Sequence, residues 1–254
     1  MPANPRPARR FHAGHALVLL LEYIGVQYAA GALVSIGFGV YISLTRAGQP
    51  LAEAANASQA LIIAYTAIVG ISLGVIVVVL QTRHWARGLL GESGARGIAC
   101  TRPRGPWLSR GAAVGILLGC AMFLLLTRLL PPDPEALNGP LAQLAQGGLF
   151  ARLVMVVLAV LVAPLIEEFL FRGAMFAAVA RSWGVIAAVT LTTLAFVAIH
   201  LPDKMYYWPG LLAVGVLALV NCGLRLRYRS LAPAMVAHFT YNISLVVFGA
   251  LLSS

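Results

Sequence analysis

Five side chains in the second half of the sequence are ionisable or polar inside runs that are otherwise apolar. Glu167 and Glu168 lie in VLAVLVAPLIEEFLFRGAMF, His200 lies in TLAFVAIHLPD, and His238 with Asn242 lies in APAMVAHFTYNISLVV. Apolar surroundings penalise charge, so a residue of this kind is a functional candidate by default. Hydrolysis needs a base for water, a group that orients the base, and donors for the developing oxyanion. Two carboxylates, two imidazoles and an amide contain all three. On a helix Glu168 and Arg172 are four apart in the favourable acid-first order, so they can pair and neutralise one another. Glu167 is rotated by about 100° and faces elsewhere. Glu168 therefore reads as a structural partner and Glu167 as the carboxylate free for chemistry. A competing reading places the two acids at a frayed, solvated helix end near Arg181. A lone histidine in an apolar helix is more often a hydrogen-bonded core residue than a catalyst. Two of them, with a buried acid and with Asn242 one helical turn from His238, weigh against that reading.

The elements that must carry these residues are membrane helices. The chain has 254 residues, 60% of them hydrophobic and 10% charged, with a mean hydropathy of +0.88, whereas an ordinary soluble domain is about a quarter charged. Long apolar runs satisfy their backbone groups in lipid as helices, and the polar and apolar alternation of barrel strands is absent from the sequence. The expected fold class is an all-α polytopic transmembrane bundle of about seven spans, near 16–44, 60–81, 111–130, 148–178, 184–200, 209–224 and 231–252. The fifth and sixth runs fall short of the roughly 20 residues of a straight crossing, as broken or sunken helices beside a cavity would. Cys100, Cys120 and Cys222 are odd in number and far apart, so they form neither a disulfide framework nor a CxxC metal site. The net charge of +10 is not arrayed on one face with aromatics, which argues against a nucleic-acid partner.

Residues 1–15 read as a cytoplasmic tail, 16–130 as three helices with an Arg-rich inner loop at about 82–110, 131–147 as a Pro-rich external linker, and 148–254 as the catalytic core. The inner loop, with Trp85 and Trp107, reads either as an interfacial segment against anionic lipid or as an ordinary cytoplasmic loop. Glu22 could line the cavity, pair with an arginine or snorkel to the interface. Gly25, Gly31, Gly37 and Gly39 suggest a close helix approach along the first span.

The motif residues resemble the CaaX-protease and bacteriocin-processing family of intramembrane proteases. That family's EExxxR motif stands here as Glu167, Glu168 and Arg172, its FxxxH motif as Phe196 and His200, and its HxxxN motif as His238 and Asn242. The resemblance covers about 148–250. It implies a water-accessible cavity lined by Glu167, His200, His238 and Asn242, with Glu168, Arg172 and Phe196 supporting them. Glu167 and His200 would hold and deprotonate a water, and His238 with Asn242 would donate to the oxyanion. The family is often described as metalloproteases, and Glu167, His200 and His238 would make a two-His, one-carboxylate zinc set. That set would leave Glu168 as the only base, so the reading preferred is one without a cofactor. The implied partners are membrane lipid and a peptide or protein substrate, lipidated in the family's namesake case. The alternatives are a catalytically idle peptide-binding scaffold or bacteriocin-immunity protein of the same fold, and a small transporter, whose paired half-repeats the sequence lacks.

Depth along the helices leaves one conflict. At about 1.5 Å per residue, His200 lies roughly 24 Å from Gly184, Glu167 roughly 16 Å from an inner end near Ala178, and His238 roughly 10 Å from Leu231.

The arginines set the orientation. With the N-terminus in the cytoplasm, Arg6, Arg9 and Arg10, the six from Arg83 to Arg110, Arg172, Arg181, Arg225, Arg227 and Arg229 fall inside, leaving Arg46, Arg128, Arg152 and Lys204 outside. The Ala- and Arg-rich composition suggests a bacterial inner membrane with the C-terminus outside. Reporter fusions after Arg110 and after Ser254 should therefore report cytoplasm and exterior, respectively. The same side for both would refute this span count.

Overall fold

The computed structural model describes residues 11–45, 56 and 58–252. Arg6, Arg9, Arg10 and Arg46, which contribute to the expected orientation, lie outside these residues. Among the described residues six helices are long and apolar enough to cross a membrane, and no strand occurs. We label α1 (Ala13–Thr45), α2 (Gln59–Ala86) and α3 (Trp107–Leu129). The fourth, Leu149–Ile199, runs through 51 residues, about 76 Å if straight against a bilayer core of about 30 Å. It is a hairpin. Gly184 leaves helical geometry at φ 85 and ψ 175, a conformation that glycine adopts without a steric penalty. The arms are α4 (149–183) and α5 (185–199), followed by α6 (Pro209–Tyr228) and α7 (Ala232–Leu252). The seven expected spans thus correspond to six helices with the hairpin counted as two arms.

The hairpin resolves the conflict of depths. The inner end of α4 is not at Ala178, because the helix continues to the turn at Gly184. Arg172 and Phe196 each stand twelve residues from that glycine, and they meet, with the guanidinium carbon 4.1 Å from the ring centroid. The same symmetry brings Glu167, 17 residues before the turn, level with His200, 16 residues after it. Nor is Leu231 at the surface. It is buried, and its N–H donates to the Ala99 carbonyl, so a segment of the inner loop lies beneath the start of α7.

The inner loop, expected as an interfacial segment or an ordinary loop, is anchored to the bundle at one point. After a 3₁₀ turn at Arg87–Leu89, Ile98 and Cys100 donate back to the carbonyls of Leu89 and Leu90, and Ile98 and Ala99 are fully buried. Arg225 holds this plug. Expected among the inner surface charges, it is instead fully buried, donating to the Arg172 and Gly97 carbonyls, with its guanidinium 4.4 Å over the Phe176 ring. At the same end the N–H of Ala13 donates to Ser182 Oγ at 2.9 Å. At the opposite end the 131–147 stretch is a packed cap with a short helix, Pro140–Gln146, whose Leu141 N–H donates to Asp203 Oδ1 at 3.0 Å.

Close helix approach occurs at other glycines than those expected on α1. A Cβ at Gly25, Gly37 or Gly39 would meet nothing within 4 Å, and one at Gly31 would make only an ordinary contact with Thr66. The tight seam is between α3 and α7. Gly111, Gly115 and Gly119 are buried, and Cβ atoms there would collide with the backbone oxygens of Pro233 and Ala237 and with Ser244. This small-residue stripe lets the backbones approach, and Thr240 Oγ1 reaches the Ala112 carbonyl across the seam at 3.2 Å. Gly115→Leu should therefore destabilise the bundle by about 1–3 kcal/mol or more through overpacking, whereas Gly37→Leu should stay within about 0.5 kcal/mol of the parent. Thermal unfolding of both variants in detergent checks the contrast. Equal melting temperatures would mean that the α3 stripe is not a packing seam.

Candidate active site

Glu167 and Glu168 sit where α4 changes its winding. The helix is π-wound over Val157–Val162 and again over Glu168–Met175, with one ordinary turn, Ala163–Glu167, between. π turns leave backbone carbonyls without their usual i→i−4 partners and recur at functional sites. Two such carbonyls are taken by side chains from other helices: Ala159 accepts from Asn242 Nδ2 at 2.7 Å, and Arg172 accepts from Arg225 Nε. The winding of α4 is thus fastened by α6 and α7.

The expected pair forms. Arg172 Nη1 lies 3.4 Å from Glu168 Oε1, and both side chains are completely buried. The same oxygen also accepts from Asn221 Nδ2 and from His238 Nδ1, each at 2.9 Å. Glu168 is consequently more than a counter-charge for Arg172, because it also fixes the His238 ring. The other nitrogen, His238 Nε2, lies 3.8 Å from Glu167 Oε2. The two carboxylates part, and one imidazole spans them. Glu167 keeps 12% exposure where Glu168 has none, so of the two it is the carboxylate with accessible surface.

His200 lies one turn beyond Phe196, and its Nδ1 is 2.7 Å from the Phe196 carbonyl oxygen. A carbonyl only accepts, so Nδ1 carries the hydrogen and the neutral ring keeps its lone pair on Nε2. Phe196 itself is fully buried and organises three neighbours. Its ring is edge-on to Phe171 at 5.2 Å and to His238 at 5.9 Å, while one face receives Arg172. Asn242 spends one amide hydrogen on Ala159 and has a second to offer.

All four expected catalytic residues therefore belong to one region, in which His238 is almost fully packed around. A concavity of about 370 Å³ lies at the far end of the bundle from Gly184, lined by residues such as Leu130, Asp133, Tyr206 and Trp208. Asn221, a direct partner of Glu168, was missed by motif reasoning, although an amide within LLAVGVLALVNCGL carries the same signal of polarity in an apolar run. Glu22 neither pairs with an arginine nor joins the site, and its Oε1 accepts from Gln81 Nε2 at 3.2 Å.

Glu167, His200 and His238 have the donor chemistry of a zinc set, and each histidine has Nδ1 held by an acceptor as metal-bound histidines commonly do. They do not fit as a preformed site, however. Among the described residues no three His, Cys, Asp or Glu side chains stand together closely enough to hold an ion.

Residues 148–244 match the profile of a family described as Type II CAAX prenyl endopeptidase Rce1-like. The match spans the hairpin, α6 and most of α7, and so includes every residue of the site. No curated protein and no solved structure matches the chain.

The geometry separates the two glutamates by experiment. Glu168→Gln strands a fully buried Arg172 and should cost about 3–5 kcal/mol, read as a lowered melting temperature in detergent. Glu167→Gln removes no buried pair and should melt like the parent. Indistinguishable melting of both variants would contradict the division of roles.

Proposed function

We propose that this chain, whose residues 148–244 belong to the type II CAAX prenyl endopeptidase-like family, hydrolyses a peptide bond of a membrane-associated or lipidated substrate, with water activated by Glu167 and His200. The observation that carries the proposal is the asymmetry around His238. Its Nδ1 is committed to a buried, ion-paired glutamate, and its Nε2 looks toward a second glutamate that retains exposure. A contact of 3.8 Å is too long for a direct hydrogen bond and is of the kind that a water can bridge.

In this reading Glu167 and His200 Nε2 hold the water, and one of them takes its proton as the oxygen attacks the carbonyl carbon. The tetrahedral oxyanion accepts hydrogen bonds from His238 Nε2–H and from the free amide hydrogen of Asn242. His238 can donate there only when doubly protonated, since Nδ1–H is already used, and the Glu168 carboxylate stands beside that ring as counter-charge. Collapse of the intermediate breaks the C–N bond. The proton taken from water passes to the departing amine, which leaves one carboxylate and one amine product.

Every role is filled by side chains of this chain, so activity is expected without a metal. The assay is cleavage of a fluorogenic peptide with a CaaX-type C-terminus, prenylated or bare, in proteoliposomes. Cleavage should persist after EDTA and 1,10-phenanthroline, vanish in Glu167→Gln, and fall about 10²–10³-fold in Asn242→Ala. Loss on chelation that stoichiometric zinc restores would overturn the metal-free mechanism and make Glu167, His200 and His238 ligands.

A further inference from the structure

Beneath His238 lies a group of polar atoms that the proposed reaction does not use. Arg172 carries five N–H donors in one plane, yet its Nε, Nη1 and Nη2 make no hydrogen bond to any described residue. Its ion contact with Glu168 is at 3.4 Å. Glu168 Oε2 and Asn221 Oδ1 are likewise buried and unbonded among the described residues. The three side chains are fully buried and joined to one another, Asn221 and Arg172 through Glu168.

Five orphan polar atoms around one buried ion pair, three of them on the Arg172 guanidinium, would together carry a penalty comparable to the whole stability margin of an ordinary domain. The Phe196 ring takes the face of Arg172 but leaves the in-plane N–H bonds without acceptors. The orphans are of both kinds, nitrogens that must donate and oxygens that must accept. An anion could only accept and a cation could only be accepted, whereas water does both. A buried water makes about three hydrogen bonds, so about two would serve all five atoms.

We propose that Glu168, Arg172 and Asn221 bind a fixed cluster of about two water molecules, a hydration site built into the bundle behind His238. Glu168 Oε1 is spent on the imidazole, Asn221 and Arg172, and Oε2 on this cluster. These waters are distinct from the one that reacts, which belongs to the exposed side of Glu167. Their task is to hold the carboxylate that orients His238.

Hydroxyl-radical footprinting by X-ray radiolysis, in lipid nanodiscs, tests this without any substrate, because bound water yields radicals where it sits. Phe196 should be oxidised several-fold faster than Phe11, an aromatic ring of similar burial. Replacing the pair by size-matched apolar side chains, Glu168→Leu with Arg172→Met, should bring Phe196 down to the level of Phe11. If that double variant fails to fold, Asn221→Leu serves, with a partial loss expected. Equal oxidation of Phe196 and Phe11 in the parent protein overturns the proposal. So does a density map in which the chamber holds a single feature that gains anomalous signal on bromide exchange, since that would be an anion.

Discussion

One buried ion pair sets the terms for the rest of the bundle. Glu168 and Arg172 are removed from water entirely, and a pair taken into a low-dielectric interior recovers its desolvation cost only with good geometry and further hydrogen bonds. The hydrogen bonds fall on the Glu168 carboxylate, and the guanidinium receives an aromatic face. The hairpin's second arm brings Phe196 over the guanidinium, α6 brings Asn221, and α7 brings His238. Four segments thus converge on one ion pair. The imidazole that they fix is the one whose free nitrogen faces the exposed Glu167, so the requirements of the ion pair and the layout of the site are the same set of contacts.

The hairpin is the second constraint. Because Gly184 is equidistant from Arg172 and Phe196 along the chain, the two arms register charge against ring without a specific loop between them. The inner plug then lifts the start of α7 off the surface, so His238 needs only about 10 Å of helix to reach the level of Glu168. Arg225 ties the plug to the π-wound turn through the Gly97 and Arg172 carbonyls.

What the sequence makes legible is polarity out of place. Glu167, Glu168, His200, His238 and Asn242 stand out because lipid-compatible runs tolerate few such residues, and the i,i+4 relation of Glu168 to Arg172 survives even in a π turn. The winding itself is not legible, since α and π turns draw on the same residues and differ only in which carbonyl each N–H chooses. Reading the inner end of α4 at Ala178 fails because the following residues remain helix-compatible and only the backbone of Gly184 turns. Arg225 looks like a topological charge because counting arginines by side says nothing of burial. The glycines of α1 and of α3 look alike in sequence, and which stripe meets a partner depends on a helix more than a hundred residues away. Asn221 carried a usable signal, and it belonged to none of the three motifs.

The seam between α3 and α7 also bears on how the chain is made. From the end of α3 at Leu129 to the end of α7 at Leu252 lie 123 residues, about 6–25 s of synthesis at ordinary elongation rates. Through that interval the glycine stripe of α3 stands in the bilayer without the helix it is shaped for, exposed to chaperones and insertion machinery. The ion pair has no such wait. Glu168 and Arg172 leave the ribosome within one helical turn of each other and can neutralise on insertion, before Asn221 or His238 exists to help. The order of emergence thus lets the costliest group in the bundle enter the membrane already paired, and leaves the closing of the seam as the last step of assembly.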